Sequence, residues 1–184
     1  VLPPLLVAIA GAPWVVSVVA AFTALLVLLL QPDAAQAASF FAGWIVLAAA
    51  RRERGAPGVI VASAAIAAAS LFRPDPLGPV PHVEGILGLA AAQGPVMAGA
   101  GLISLAALPL AFTLCSSRPL GLALAAYTAA TLGAAWLGDY PVPMLGYGVS
   151  PILGYYFAVA AGAAPHPARV PPPEGASPGA EPSA

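Results

Sequence analysis

Few side chains in this sequence are equipped for chemistry, and they lie far apart. His82 and Glu84 follow a proline-rich stretch, residues 73–81, and offer an imidazole and a carboxylate for metal ligation or proton relay. One histidine and one carboxylate fall short of the ligand set of a specific metal site, and Glu84 is equally explained as an acid in a first helical turn. The catalytic candidate is Asp139, in Trp136-Leu-Gly-Asp-Tyr-Pro-Val-Pro-Met-Leu-Gly-Tyr-Gly-Val-Ser-Pro151, where prolines and glycines break any helix. The competing reading is turn chemistry, with Gly138 ending a helix, Asp139 exposed and Pro141 as the stop. Gln93 and Ser104, beside the break at Gly94-Pro95, are polar enough to line a pathway. The pathway or interface candidates are therefore Gln93, Gly94, Pro95, Asp139, Pro143, Tyr147 and Ser150. Catalytic Ser/His/Asp sets, glycine-rich phosphate loops and histidine pairs fit to hold haem are all missing, so no cofactor and no metal is expected. Cys115 is the single cysteine, which excludes an internal disulfide.

The elements that would position these residues follow from composition. Of 184 residues, 60% are apolar and 7% charged, whereas a soluble domain carries roughly 25% Asp, Glu, Lys and Arg. So few charges cannot cover a water-facing surface. All six cations are arginine and the net charge is -1, so no basic field exists to hold a nucleic acid. These counts exclude a soluble globular enzyme, a nucleic-acid binder and a charged disordered protein. They predict an all-α, polytopic transmembrane bundle in contact with lipid, and the alanine-rich, lysine-free composition fits a bacterial inner membrane.

A span takes about 20 apolar residues, and the sequence predicts about six of them, near 13–30, 34–50, 57–72, 94–115, 119–137 and 147–164, within a membrane domain of residues 1–164. Residues 84–115 are too long for one span, at about 48 Å against a hydrocarbon core of about 30 Å. Either residues 84–93 form a half-helix, re-entrant or lying at the interface, ahead of Gly94-Pro95, or the whole segment is one kinked, tilted helix. Ala35-Gln36-Ala37 also matches a signal-peptidase site, but the preceding apolar run exceeds the usual core of about 7–15 residues and has no basic flank.

With the start of the chain on the cytoplasmic side, Arg51, Arg52, Arg54, Arg118 and Arg169 share that side and Arg73 stands alone on the other. This is a positive-inside pattern that puts both termini in the cytoplasm. Arg51, Arg52 and Arg54 are also the candidates for anionic lipid headgroups. Residues 165–184 are rich in Pro, Gly, Ala and Ser and are expected to be a disordered cytoplasmic tail, with Val170–Pro173 able to form a polyproline-type docking peptide.

Lipid is as apolar as leucine, so such helices associate through small residues. Gly94, Ala98, Gly99 and Gly101 offer one face, and Gly121, Ala125, Ala129 and Gly133 another, with Gly133→Leu expected to disrupt the fold or a complex. Trp14, Trp136, Tyr140 and Tyr147 stand where an interfacial belt would put them. Tyr155 and Tyr156 lie deeper, and at least one is expected to face a neighbouring helix.

Pro143, Tyr147, Gly148 and Ser150 resemble the Pro-Phe-Val-Ser-Tyr-Gly-Gly-Ser signature of the SEDS peptidoglycan polymerases, with departures at Gly146 and Val149. The resemblance covers under a tenth of the chain and implies a lipid-linked glycan enzyme of more spans than this one has. The absence of a catalytic set and of charges within the spans points instead to a non-catalytic accessory or scaffold subunit, with other membrane subunits or a second copy as partner. A small transporter or channel with a pathway at 93–101 and 138–151 is the alternative.

Overall fold

The structure, a computed structural model, describes residues 2–73, 86–137, 140 and 149–163. Among these residues it is all-helical. In chain order the helices are α1 (Leu2–Gly11), α2 (Trp14–Leu30), α3 (Ala34–Ala50), α4 (Ala56–Ser70), α5 (Ile86–Ala92), α6 (Pro95–Thr113), α7 (Arg118–Leu137) and α8 (Val149–Ala163). Helices stand at all six expected positions. Two of them, α6 and α7, are long and apolar enough to cross a membrane by length and composition, while α1 to α4 are shorter apolar helices.

The segment before Trp14 is a helix in its own right, which the sequence reading did not anticipate. Proline has no N–H and its ring clashes with the carbonyl four residues earlier, so Pro13 ends α1 and leaves the Ile9 carbonyl without its helical donor. The chain turns at Ala12-Pro13 and α2 starts with Pro13 at its N-cap. Helix α1 then lies within the bundle against α8, α7, α2 and α3, with Leu6 and Ile9 fully buried.

Helix α3 is central. It packs on α7, α4, α2 and α1, and buries Ala37, Ser39, Phe40, Gly43, Trp44, Leu47 and Ala48 along its length. Its N-terminus is capped by Asp33, whose carboxylate accepts the Gln36 N–H at 3.0 Å. Gly43 permits the close approach of α3 and α7: a Cβ there would stand 3.0 Å from the Ala123 carbonyl oxygen and 3.2 Å from the Tyr127 Cβ. The Trp44 indole N–H donates to Ser63 Oγ on α4 at 3.1 Å, and its ring stacks on Trp14 at 5.9 Å. Trp14 is thus half-buried against another tryptophan, which an interfacial belt does not require.

Helix α7 buries Leu120, Gly121, Ala123, Leu124, Tyr127, Thr128 and Thr131. The expected small-residue face is therefore only partly used. Gly121 meets the Phe112 carbonyl, but Gly133 meets nothing among the described residues and Ala129 is exposed. The larger side chains won because they fill the space between α3, α6 and α8. The expected disruption by Gly133→Leu is corrected accordingly for the chain by itself.

The long fourth segment is two helices. Gly94 has φ 119° and ψ 167°, a region essentially restricted to glycine, and Pro95 opens α6. Helix α5 packs on α6, and α6 on α7.

Gly121→Ala would drive a methyl group into the Phe112 carbonyl and is expected to cost about 1–3 kcal/mol, as overpacking does, with Gly133→Leu near neutral. Thermal unfolding of the two purified variants checks this. Gly94→Ala has space for its methyl group but not the backbone conformation, and is expected to cost about 1–3 kcal/mol. The same assay shows whether it does.

Candidate functional site

The sequence candidates land in several places. Asp139, Pro143, Tyr147 and Gly148 lie outside the described residues, as do His82, Glu84 and the tail after Ala163. Ser150 falls in the first turn of α8, which fixes its backbone alone. Of the residues behind the polymerase resemblance, only the backbone of Ser150 falls among the described residues. Gln93 and Pro95 are exposed at the junction of α5 and α6, and Ser104 donates to the Ala100 carbonyl of its own helix at 2.8 Å. None of the three lines the cavities below.

A different set of residues converges. A cavity of about 630 Å³ opens between α1, α2, α3 and α7 at the Asp33 end of α3. Leu2, Leu5, Ala24, Val27 and Leu28 form apolar walls, while Thr23, Gln31, Asp33, Gln36 and Tyr127 bring polar groups to it. The Tyr127 hydroxyl donates to Gln36 Oε1 at 2.8 Å, tying α7 to α3 across 91 residues of chain. Among the described residues, no arginine lines this cavity.

Tyr127 also begins an aromatic series. Its ring lies 6.3 Å from that of Tyr155, and Tyr155 stacks on Phe112 at 5.9 Å. Tyr155 is 3% exposed and faces neighbouring helices, whereas Tyr156 is exposed. Among the described residues, the Tyr155 hydroxyl lies near Thr128 and Thr131. Both threonines donate to carbonyls of their own helix, at 2.8 Å and 2.9 Å. The Tyr155 hydroxyl makes no hydrogen bond of acceptable geometry among the described residues. Phe112 in turn borders a second cavity of about 210 Å³ with Cys115, Leu124 and Ala158.

At the opposite end of α3 the arginines divide. Arg51 turns inward. Its Nη1 donates to the Ala12 carbonyl at 2.7 Å, and its Nη2 to those of Ile9 at 2.6 Å and Ala10 at 3.1 Å. Ser17 Oγ donates to the same Ile9 carbonyl at 2.9 Å. The guanidinium fork suits several acceptors at once, and a cation complements the negative end of a helix dipole. Arg52 and Arg54 are exposed and stay available to a headgroup, and Arg52 takes a positive φ of 54° where the chain leaves α3.

Two of these residues carried a signal. Gln36 is a strongly polar side chain in an alanine-rich apolar helix, and such a residue in a span faces the bundle interior. Pro13 implies an orphan carbonyl at Ile9, which calls for a donor. Which donor reaches it depends on folding, because 42 residues separate Arg51 from Ile9. Comparison with protein-family models, curated proteins and solved structures found no match. Among the described residues, no group of three or more His, Cys, Asp or Glu comes together.

Arg51→Met is expected to lower stability by about 1.5–3 kcal/mol, the range for hydrogen bonds to charged groups, and to raise amide exchange within residues 2–11 first. Arg52→Ala and Arg54→Ala should leave both unchanged. Exchange in α1 that does not respond to Arg51→Met would show that the fork is incidental.

Proposed function

We propose that this chain is a multi-pass membrane protein of the bacterial inner membrane, acting as a non-catalytic subunit of a larger membrane assembly that it joins through α6. The observation that carries the reading is an apolar surface over a core that also holds hydroxyl groups. Ser17, Ser39, Ser63, Ser70, Thr128 and Thr131 are buried, while Val15, Val61, Val96, Ile103, Leu110 and Phe157 stand on the surface. Water would penalise that surface at roughly 25 cal/mol per Å² of apolar area, whereas lipid accepts it. The buried hydroxyls of Ser39, Thr128 and Thr131 donate to carbonyls four residues back, so polar groups sit inside without water.

Charge placement agrees. Among the described residues the charged side chains fall at helix ends or between helices. The cavity shared by Ala50, Arg51, Ser117 and Pro119 sets the end of α3 beside the start of α7, so Arg51, Arg52, Arg54 and Arg118 gather at one end of the bundle. Under the positive-inside rule that end is cytoplasmic. Helices α2 and α3 have 17 residues each, about 26 Å of helix, the lower limit of a span. Because α1 runs back from Arg51 toward the Asp33 end, Leu2 lies toward the outer side. This departs from the expectation that both ends of the chain share the arginine side.

Helix α6 is the least covered of the long helices, 11% buried along its apolar stretch against 39% for α7. A Cβ on Gly99 would meet none of the described residues within 4 Å. Small residues left open on a lipid-facing helix suit close contact with a helix of another chain. Mild extraction from native membranes followed by native mass measurement is expected to return the chain with a stoichiometric partner. Gly99→Leu should weaken that association at least tenfold while leaving the melting temperature of the isolated chain unchanged. A lone monomer under those conditions would overturn the reading.

A further inference from the structure

Beyond assembly, we propose that the arginine end of the bundle binds one anionic phospholipid. The α3–α4 turn and the start of α7 hold its phosphate, and one acyl chain lies in the apolar notch between α6, α7 and α8. This rests on the chain spanning a membrane. Ala50 and Arg51 share a small cavity with Ser117 and Pro119, so Arg118, between those last two, stands beside the α3–α4 turn. Arg51 commits both terminal nitrogens to the carbonyls at the end of α1 and lends this place its charge. Arg52, Arg54 and Arg118 are exposed. Among the described residues, no hydrogen bond or ion pair engages their guanidinium groups or the hydroxyls of Ser116 and Ser117.

The charges set the head chemistry. Among the described residues the one acid at this end is Glu53, which is exposed, against four arginines. A guanidinium fork matches two oxygens of a phosphate, and basic residues at the cytoplasmic surface attract anionic lipid. The α6–α7 turn adds the reason for a lipid rather than a free phosphate. Ser117 borders the cationic side of that turn, while Ser116 borders the cavity of about 210 Å³ walled by Phe112 and Leu124. Leu114 and Val159 rim that cavity and are themselves exposed, so it opens on the lipid-facing side. It is smaller than the range of about 300–1,000 Å³ that takes a whole ligand, and suits a length of one chain. Phosphate donors and an apolar slot thus lie on either side of one short turn.

The test places the full chain in phosphatidylcholine nanodiscs with and without phosphatidylglycerol and reads retained lipid by native mass measurement. One phosphatidylglycerol per chain is expected, preferred at least tenfold over phosphatidylcholine. Arg52→Gln, Arg54→Gln and Arg118→Gln should each weaken retention about fivefold, the effect of one basic residue near a membrane surface. Glu53→Gln should tighten it, and Arg73→Gln, at the other end of the bundle, should leave it unchanged. Val159→Trp fills the apolar notch from the lipid side and should weaken retention at least threefold, with Leu114→Trp as the second variant if the first does not fold. Equal retention of phosphatidylcholine, or an effect of Arg73→Gln as large as that of Arg118→Gln, would overturn the proposal in favour of diffuse attraction. Saturable thermal stabilisation by inorganic phosphate alone, or undiminished retention in the notch-filling variants, would overturn the lipid assignment. A chain that stays out of the discs overturns the membrane reading and this proposal with it, whereas an inserted chain without lipid preference overturns this proposal alone.

Discussion

The guanidinium of Arg51 on the last carbonyls of α1 is the interaction from which the arrangement of this bundle follows. Pro13 takes away the donor that Ile9 would have had within a continuous helix. A carbonyl buried in apolar surroundings without a donor costs about 1–3 kcal/mol, so the break between α1 and α2 is tolerable only with a replacement. The Ala12 N–H supplies one long bond, at 3.3 Å, and Arg51 and Ser17 add shorter ones. Their grip holds the C-terminal end of α1 at the end of α3, and thereby directs α1 back into the bundle. There Leu6 and Ile9 become part of the core.

Two cross-helix hydrogen bonds then set how α3 meets its neighbours. Trp44 reaches Ser63 on α4, and Tyr127 reaches Gln36. The first joins groups that would otherwise be buried without partners, the second is part-buried, and each specifies register as well as contributing energy. Gly43 lets the α3 and α7 backbones approach closely enough for the second bond to form. The wedge between α1 and α2 is a consequence: the Pro13 turn joins the two helices at one end, and at the other the Gln36–Tyr127 pair gives the opening its polar floor.

Much of the helical layout was legible in the sequence because apolar runs and their interruptions are local. Gln31-Pro32-Asp33 ends α2, Arg51–Gly55 separates α3 from α4, and Gly94-Pro95 divides α5 from α6. The packing faces were much less legible. Gly121 and Gly133 belong to one row of small residues four apart in α7, which winds round the helix, and Gly121 touches the Phe112 carbonyl while Gly133 touches none of the described residues. Spacing identifies which residues share a stripe, and only the neighbouring helix decides whether that stripe is covered.

The sequence by itself determined that this chain is helical, apolar and almost without charge, because composition and run length act within single segments. The tertiary structure alone decided what its few polar side chains do. Arg51 reads as one of three basic residues at a helix end, and becomes the cap of a helix about forty residues away in the chain. Gln36 and Tyr127, unremarkable in their own helices, become the polar floor of a cavity. The physical reason is that a hydrogen-bonding group inside an apolar bundle must find a partner, and which partner lies within reach is a property of the packed helices rather than of local sequence.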